Sequence, residues 1–106
     1  MSYRYMRIMV MFDLPTITVT DRREYTHFRK YLIKSGFLVI QESIYCRIVP
    51  NQVMADLVIE NIRKNKPANG LVQVLRVTEK QYSKMEFIVG SLSSDVLCTD
   101  ERLVIL

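Results

Sequence analysis

The sequence contains few of the residues that break regular structure or that cluster around metal ions. Its 106 residues include three glycines, three prolines, two cysteines, one histidine and no tryptophan. With 49% hydrophobic residues, this scarcity predicts a folded chain and argues against disorder. Cys46 and Cys98 lie in unrelated segments without a CxxC spacing, and only His27 could join them. This pattern argues against a zinc site and predicts reduced, packed thiols.

Long hydrophobic runs are also absent. No run approaches the ~18 apolar residues that a membrane span needs, and the first residues lack the basic-then-apolar order of a signal peptide. We therefore expect a cytoplasmic protein. The length suits one domain with a single core, over residues 1–106. Fifteen Lys and Arg against eleven Asp and Glu give a net charge of +4, which matters for partners only if it is concentrated on one face.

The apolar pattern of the first half predicts a strand and then a helix. The run over 5–12 is long enough for a strand and too short for most helices. From Asp21 the apolar period becomes that of a helix, and Gly36 supplies its stop. The apolar side of this helix consists of Tyr25, Phe28 and Leu32.

The second half repeats this alternation. Residues 37–49 are β-branched and aromatic with a polar break, which predicts two antiparallel strands or one long strand bent at the break. A second helix follows, in which apolar residues repeat every four positions at Met54, Val58 and Ile62. Residues 71–77 form the next strand. Two short apolar pieces, 86–89 and 102–106, are predicted as extra edge strands.

This order of elements predicts an α+β fold of the ferredoxin-like type, a βαββαβ antiparallel sheet with extra C-terminal edge strands. In that fold the helices cover one face of the sheet, so strands should alternate apolar and polar residues. The first strand has Arg7 as its only charged residue between Tyr5 and Phe12. We therefore expect a second copy to cover the other face in a two-fold homodimer, with ordinary central-strand packing under loops as the alternative.

Basic residues are concentrated on the first helix. Five of them fall within ~140° of the helical wheel, opposite Phe28 and Leu32. We predict that they contact nucleic-acid phosphates, although a solvated basic helix face is the alternative. A further group at residues 63–66 is explained by the favourable position of positive charge at a helix C-terminus. The predicted phosphate contacts, called the basic stripe below, are Arg22, Arg23, Arg29, Lys30 and Lys34.

Asp13 ends the first strand and precedes Pro15 by two positions. Aspartate and proline commonly begin turns, which is the simplest explanation. The alternative is a catalytic carboxylate that a two-fold axis pairs with its own copy. Mg²⁺, or Mn²⁺, could then be shared across the dimer, because Mg²⁺ is usually held by one or two carboxylates. No hydrolase motif accompanies Asp13, and His27 is expected at the surface.

Several segments together resemble a known family. MRIMVMFDLPT at 6–16, DRREYTHFRKYLIKSGFLVIQESIY at 21–45, TEKQY at 78–82 and DERLVIL at 100–106 are similar to the CRISPR-associated protein two family. That family is the small dimeric partner of the CRISPR integrase, and the likeness is greatest to the form beside type II systems. Glu42 departs from the bulky apolar residue that many members carry there.

The resemblance implies a ferredoxin-like homodimer that bridges two integrase dimers and holds a double-stranded DNA prespacer. It also implies that Asp13 is the metal ligand and catalytic residue in members that cleave RNA or DNA, an activity dispensable for integration. A second candidate is a stand-alone toxin-like ribonuclease of the virulence-associated type, which shares the fold and the strand-end aspartate. A third is a regulatory binding module in which Asp13 is only a turn residue.

Overall fold

The computed structural model describes residues 5–91. They form a four-stranded antiparallel sheet and the two helices that the ferredoxin-like prediction requires, together with a short third helix that was not predicted. No helix in this part of the chain has both the length and the apolar character needed to cross a membrane. The elements are β1 (Met6–Asp13), α1 (Val19–Lys34), β2 (Leu38–Gln41), β3 (Ile44–Val49), α2 (Gln52–Lys64), β4 (Leu71–Thr78) and α3 (Glu79–Tyr82). The strand order in the sheet is β2-β3-β1-β4.

The predicted strand segment 37–49 folds as two strands, which decides between the two alternatives. β2 and β3 pair antiparallel across a turn made by Glu42 and Ser43, with a register irregularity between Val39 and Gln41. The Phe12 amide donates a hydrogen bond of 3.1 Å to the Ser43 carbonyl, so this turn lies beside the end of β1. β1 itself is central and pairs with both β3 and β4.

Helix α1 begins earlier than the sequence pattern predicts. Thr18 is its N-cap, and its hydroxyl accepts a hydrogen bond from the Asp21 amide at 3.0 Å. The Asp21 carboxylate accepts one from the Thr18 amide at 3.2 Å, which completes a capping box. The prediction placed the start at Asp21, whereas Asp21 is the third helical residue and its carboxylate closes the cap. Gly36 ends the helix as predicted, with φ of 92°.

The core lies between the helices and one face of the sheet. β1 contributes Ile8, Val10 and Phe12, all buried. The Phe12 ring packs against three aromatic rings, with centroids 5.3 to 5.8 Å apart. The helical periodicity is confirmed, because Phe28 and Leu32 of α1 are buried here together with a set on α2. That set is Ala55, Val58, Ile59 and Ile62.

The extra strand predicted over 86–89 is not formed. These residues follow α3 as irregular chain and pair with no strand among residues 5–91. A strand needs a neighbouring strand to satisfy its backbone groups, and an apolar run alone does not supply one. Ile88 and Val89 are 86% and 91% exposed. The strand predicted over 102–106 lies outside the described residues.

Candidate functional site

The sheet face opposite α1 and α2 is largely apolar and only partly covered. Strand register brings alternate residues of β1, β3 and β4 onto it. Ile48, Leu71 and Leu75 are 41%, 55% and 50% exposed there. We call this surface the open face. Its members are Arg7, Met9, Met11, Asp13, Ile44, Cys46, Ile48, Leu71, Gln73, Leu75 and Val77.

Asp13 lies at one end of the open face. It is the last residue of β1, pairs with Leu71 of β4 and is exposed to solvent. Within residues 5–91 its carboxylate makes no hydrogen bond and no ion pair. An aspartate that shapes a turn accepts a hydrogen bond from the amide two residues later. That residue is Pro15, which has no amide hydrogen, so the carboxylate remains available for a ligand.

Arg22 of the basic stripe does not point freely into solvent. Its guanidinium Nη1 donates to the Ile17 carbonyl at 2.9 Å and to the Thr16 carbonyl at 3.3 Å. It therefore fastens the loop between Asp13 and α1. The sequence pattern did not indicate this contact, because a helical wheel shows which side a residue occupies and not its partners in the preceding loop.

The rest of the basic stripe is exposed along α1, opposite the buried Phe28 and Leu32, as predicted. Because α1 packs on the covered face, its outer side and Asp13 lie on opposite sides of the sheet. Arg29 lies near the Tyr45 hydroxyl, which is buried. Burial raises the pKa of Tyr45, and the nearby Arg29 charge opposes this rise. His27 is exposed, as predicted.

A cluster that sequence reasoning missed occupies the other end of the open face. The Arg7 guanidinium donates to both carboxylate oxygens of Glu79, at 2.8 and 3.0 Å. It also stacks over the Tyr82 ring at 4.1 Å and lies 3.9 Å from the Cys46 sulfur. In the sequence, Arg7 differs from its neighbours only as the single charged residue of an apolar strand. Its partner Glu79 is 72 residues away, and no sequence spacing indicates the contact.

This cluster docks α3 against the sheet. Burial lowers the pKa of Arg7, but the hydrogen bonds that Arg7 donates to Glu79 and Cys46, together with the charges of these two groups, outweigh burial and raise this pKa above its ordinary value. Burial also raises the pKa of the Cys46 thiol and of the Tyr82 hydroxyl. Cys46 is a free, packed thiol, as predicted, and its raised pKa keeps it protonated.

The capacity of one chain to hold a metal is small. Residues 5–91 contain no group of three or more His, Cys, Asp or Glu side chains close enough to share an ion. Mg²⁺ keeps several waters and is commonly held by one or two carboxylates. One copy of Asp13 supplies one such ligand, so the residues fit a Mg²⁺ or Mn²⁺ site if two chains each contribute Asp13.

Comparison with known proteins decides the family. The family model for "CRISPR associated protein Cas2" matches residues 6–85. This chain belongs to the Cas2 family. The CRISPR-associated endoribonuclease Cas2 of Treponema denticola is 55% identical over 101 residues, which cover 95% of this chain and 100% of that relative. Cas2 proteins of the same name from Lacticaseibacillus rhamnosus and Ligilactobacillus salivarius are 45% and 44% identical, with the same coverage. The family resemblance seen in the sequence is confirmed.

Proposed function

We propose that this Cas2-family chain acts as a homodimer in CRISPR adaptation. The dimer holds double-stranded DNA and bridges integrase dimers for spacer integration, and it carries a metal-dependent endonuclease activity at Asp13. One observation carries the proposal: an apolar sheet face ends in an exposed carboxylate that has no partner within residues 5–91.

The open face supports the homodimer. Contiguous exposed apolar surface commonly marks an interaction site, and a two-fold dimer covers the same patch on both copies. A copy of this face offers apolar residues of the same kind, and sheets pack well face to face. In such a dimer each chain contributes one Asp13.

The proposal of an endonuclease activity is supported by the names of the relatives, which are called endoribonucleases. A divalent cation held between two carboxylates would supply Lewis-acid chemistry for phosphodiester hydrolysis. The chain's own contribution is positional, because pairing with Leu71 holds Asp13 at a fixed point. The described residues offer no nucleophile and base pair beside it, which agrees with slow cleavage and a mainly architectural role.

The basic stripe supports nucleic-acid binding. Exposed Arg and Lys side chains on one helix can contact successive phosphates without reading sequence. The logarithm of duplex affinity should then fall with the logarithm of salt concentration, with a slope of about −0.9 for each phosphate contacted. Lys30→Ala should reduce this slope by about one contact. Arg63→Ala is the matched control, because Arg63 pairs with Glu60 on α2. A salt slope near zero for the unmodified protein would refute the assignment.

The central experiment is integration of a short duplex by the partner integrase with this chain absent, present, or carrying Asp13→Ala. Integration that needs the chain and tolerates the substitution supports the architectural role. Integration that continues without the chain refutes it and favours the stand-alone ribonuclease.

The nuclease is tested separately. Cleavage of single-stranded RNA and of a DNA duplex is compared in Mg²⁺, in Mn²⁺ and in chelator. Asp13→Asn should abolish the metal-dependent part, whereas Glu60→Gln, which alters an exposed carboxylate on α2, should not. Cleavage that survives Asp13→Asn would place the activity elsewhere.

A further inference from the structure

Gly70 lies directly against the backbone that carries Asp13. It has a φ of +99°, in the left-handed region that side chains rarely adopt. A Cβ atom at this position would lie 2.6 Å from Leu14 Cδ2, 2.9 Å from the Asp13 carbonyl oxygen and 3.1 Å from Leu14 Cα. The Leu14 side chain could rotate away to relieve the first contact. The other two involve backbone, so the end of β1 itself would have to move.

The loop that contains Gly70 is also anchored on its far side. The Glu24 carboxylate of α1 accepts a hydrogen bond from the Ala68 amide at 3.3 Å. On the other side of Gly70, Leu71 begins β4 and pairs with Asp13. The loop therefore cannot simply swing away to make room for a side chain at position 70.

We propose that Gly70 is a positioning residue for Asp13. Because Gly70 has no side chain, the 65–70 loop can lie against the end of β1, and this contact determines where the Asp13 carboxylate projects. Glu24 supports this arrangement by holding the loop against α1. The consequence for metal binding rests on the proposed function of Asp13, whereas the positional effect itself does not.

The test compares Gly70→Ala with Gly36→Ala. Gly36 also has a positive φ, of +92°, but a Cβ atom there meets nothing closer than 3.7 Å and lies beside the Arg47 side chain. Both variants place a side chain at a residue with positive φ, and only Gly70→Ala crowds the Asp13 backbone. The first readout is the NMR signal of the Asp13 carboxylate carbon and of the Asp13 and Leu14 amides in metal-free protein. The second is Mn²⁺ affinity, measured by titration calorimetry.

Gly70→Ala should move the Asp13 and Leu14 signals and weaken Mn²⁺ binding about tenfold or more. Gly36→Ala should leave both unchanged. Equal spectra at Asp13 for the two variants would overturn the proposal. If the unmodified protein and Asp13→Asn bind Mn²⁺ equally, the metal role of Asp13 fails, and the NMR comparison still decides the role of Gly70. If Gly70→Ala does not fold, Glu24→Ala, which releases the loop from α1, must move the same signals or the proposal falls.

Discussion

On the covered face, β1 buries Ile8, Val10 and Phe12, whereas on the open face the same strand leaves Met9 and Met11 half-buried and Asp13 exposed. Both faces are apolar, but within the described residues α1 and α2 close one of them, whereas α3 covers only one end of the other. The covered face supplies the burial that stabilises the fold. The open face retains exposed apolar surface and the Asp13 carboxylate at the end of β1, so we propose it as the place for the partner and for the chemistry.

The largest expected effect is on the covered face. Phe12→Ala removes a ring packed among three other aromatic rings and should lower the free energy of unfolding by about 3 to 5 kcal/mol. Met11→Ala, one position along on the open face, should cost less than about half as much, because Met11 is only half-buried. Chemical denaturation measures both. Equal losses would show that the two faces contribute alike to the stability of the fold.

The next effect concerns association. Leu75→Glu places a charge in the middle of the open face and should weaken the proposed dimer by about a hundredfold or more, because an unpaired charge would be buried. Val53→Glu is the control, since Val53 is an exposed apolar residue of α2, away from this face. Analytical ultracentrifugation reports the dimer. If both variants stay dimeric, the open face is not the interface.

A smaller effect should appear at the ion pair that docks α3. A double-mutant cycle on Arg7 and Glu79 should give a coupling of about 1 kcal/mol, because the pair is bidentate and partly shielded from solvent. The exposed pair Arg63 and Glu60, three residues apart on α2, should give about 0.3 kcal/mol. Denaturation curves of the single and double variants measure both. A coupling at Arg7 no larger than that control would mean that α3 is held by packing alone.

The smallest effect is a loss of stability at high pH. Burial raises the pKa of Cys46, Tyr45 and Tyr82, so the folded state keeps these protons longer than the unfolded state. The stability that these groups give the folded state is fully present below their ordinary pKa values, which are 9.0 for cysteine and 10.0 for tyrosine. This stability is lost as the pH rises beyond those values. Thermal unfolding between about pH 7 and 11 should show the decline. Cys46→Ser should remove the part of this decline that begins at the lowest pH. An unchanged pH profile in that variant would contradict the assignment to Cys46.

Sequence patterns predicted most of the fold because the information is local. The four-residue spacing of Met54, Val58 and Ile62 reports a helix face directly, and a glycine such as Gly36 ends a helix through its own backbone freedom. The start of α1 was misplaced because the apolar period indicates the helix only from Asp21 onward, whereas the N-cap is Thr18. The strand predicted over 86–89 failed because strand formation depends on a neighbour, which the segment itself cannot specify.

The candidate site was predicted only in part, for a related reason. Asp13 stood out because it ends an apolar run, and the basic stripe stood out on the helical wheel. Arg7 with Glu79, Arg22 with the carbonyl of Ile17, and Gly70 against Leu14 did not, because chain folding brings these groups together.

The sequence by itself determined the order of elements from β1 to β4, the covered core and the family, because apolar periodicity and characteristic segments are properties of neighbouring residues. Only the tertiary structure decided which face stays open, that Asp13 has no partner within residues 5–91, and that the basic stripe lies on the opposite side of the sheet. Strand register and helix packing decide these matters, since they determine which face each alternate residue joins and which surfaces the helices cover.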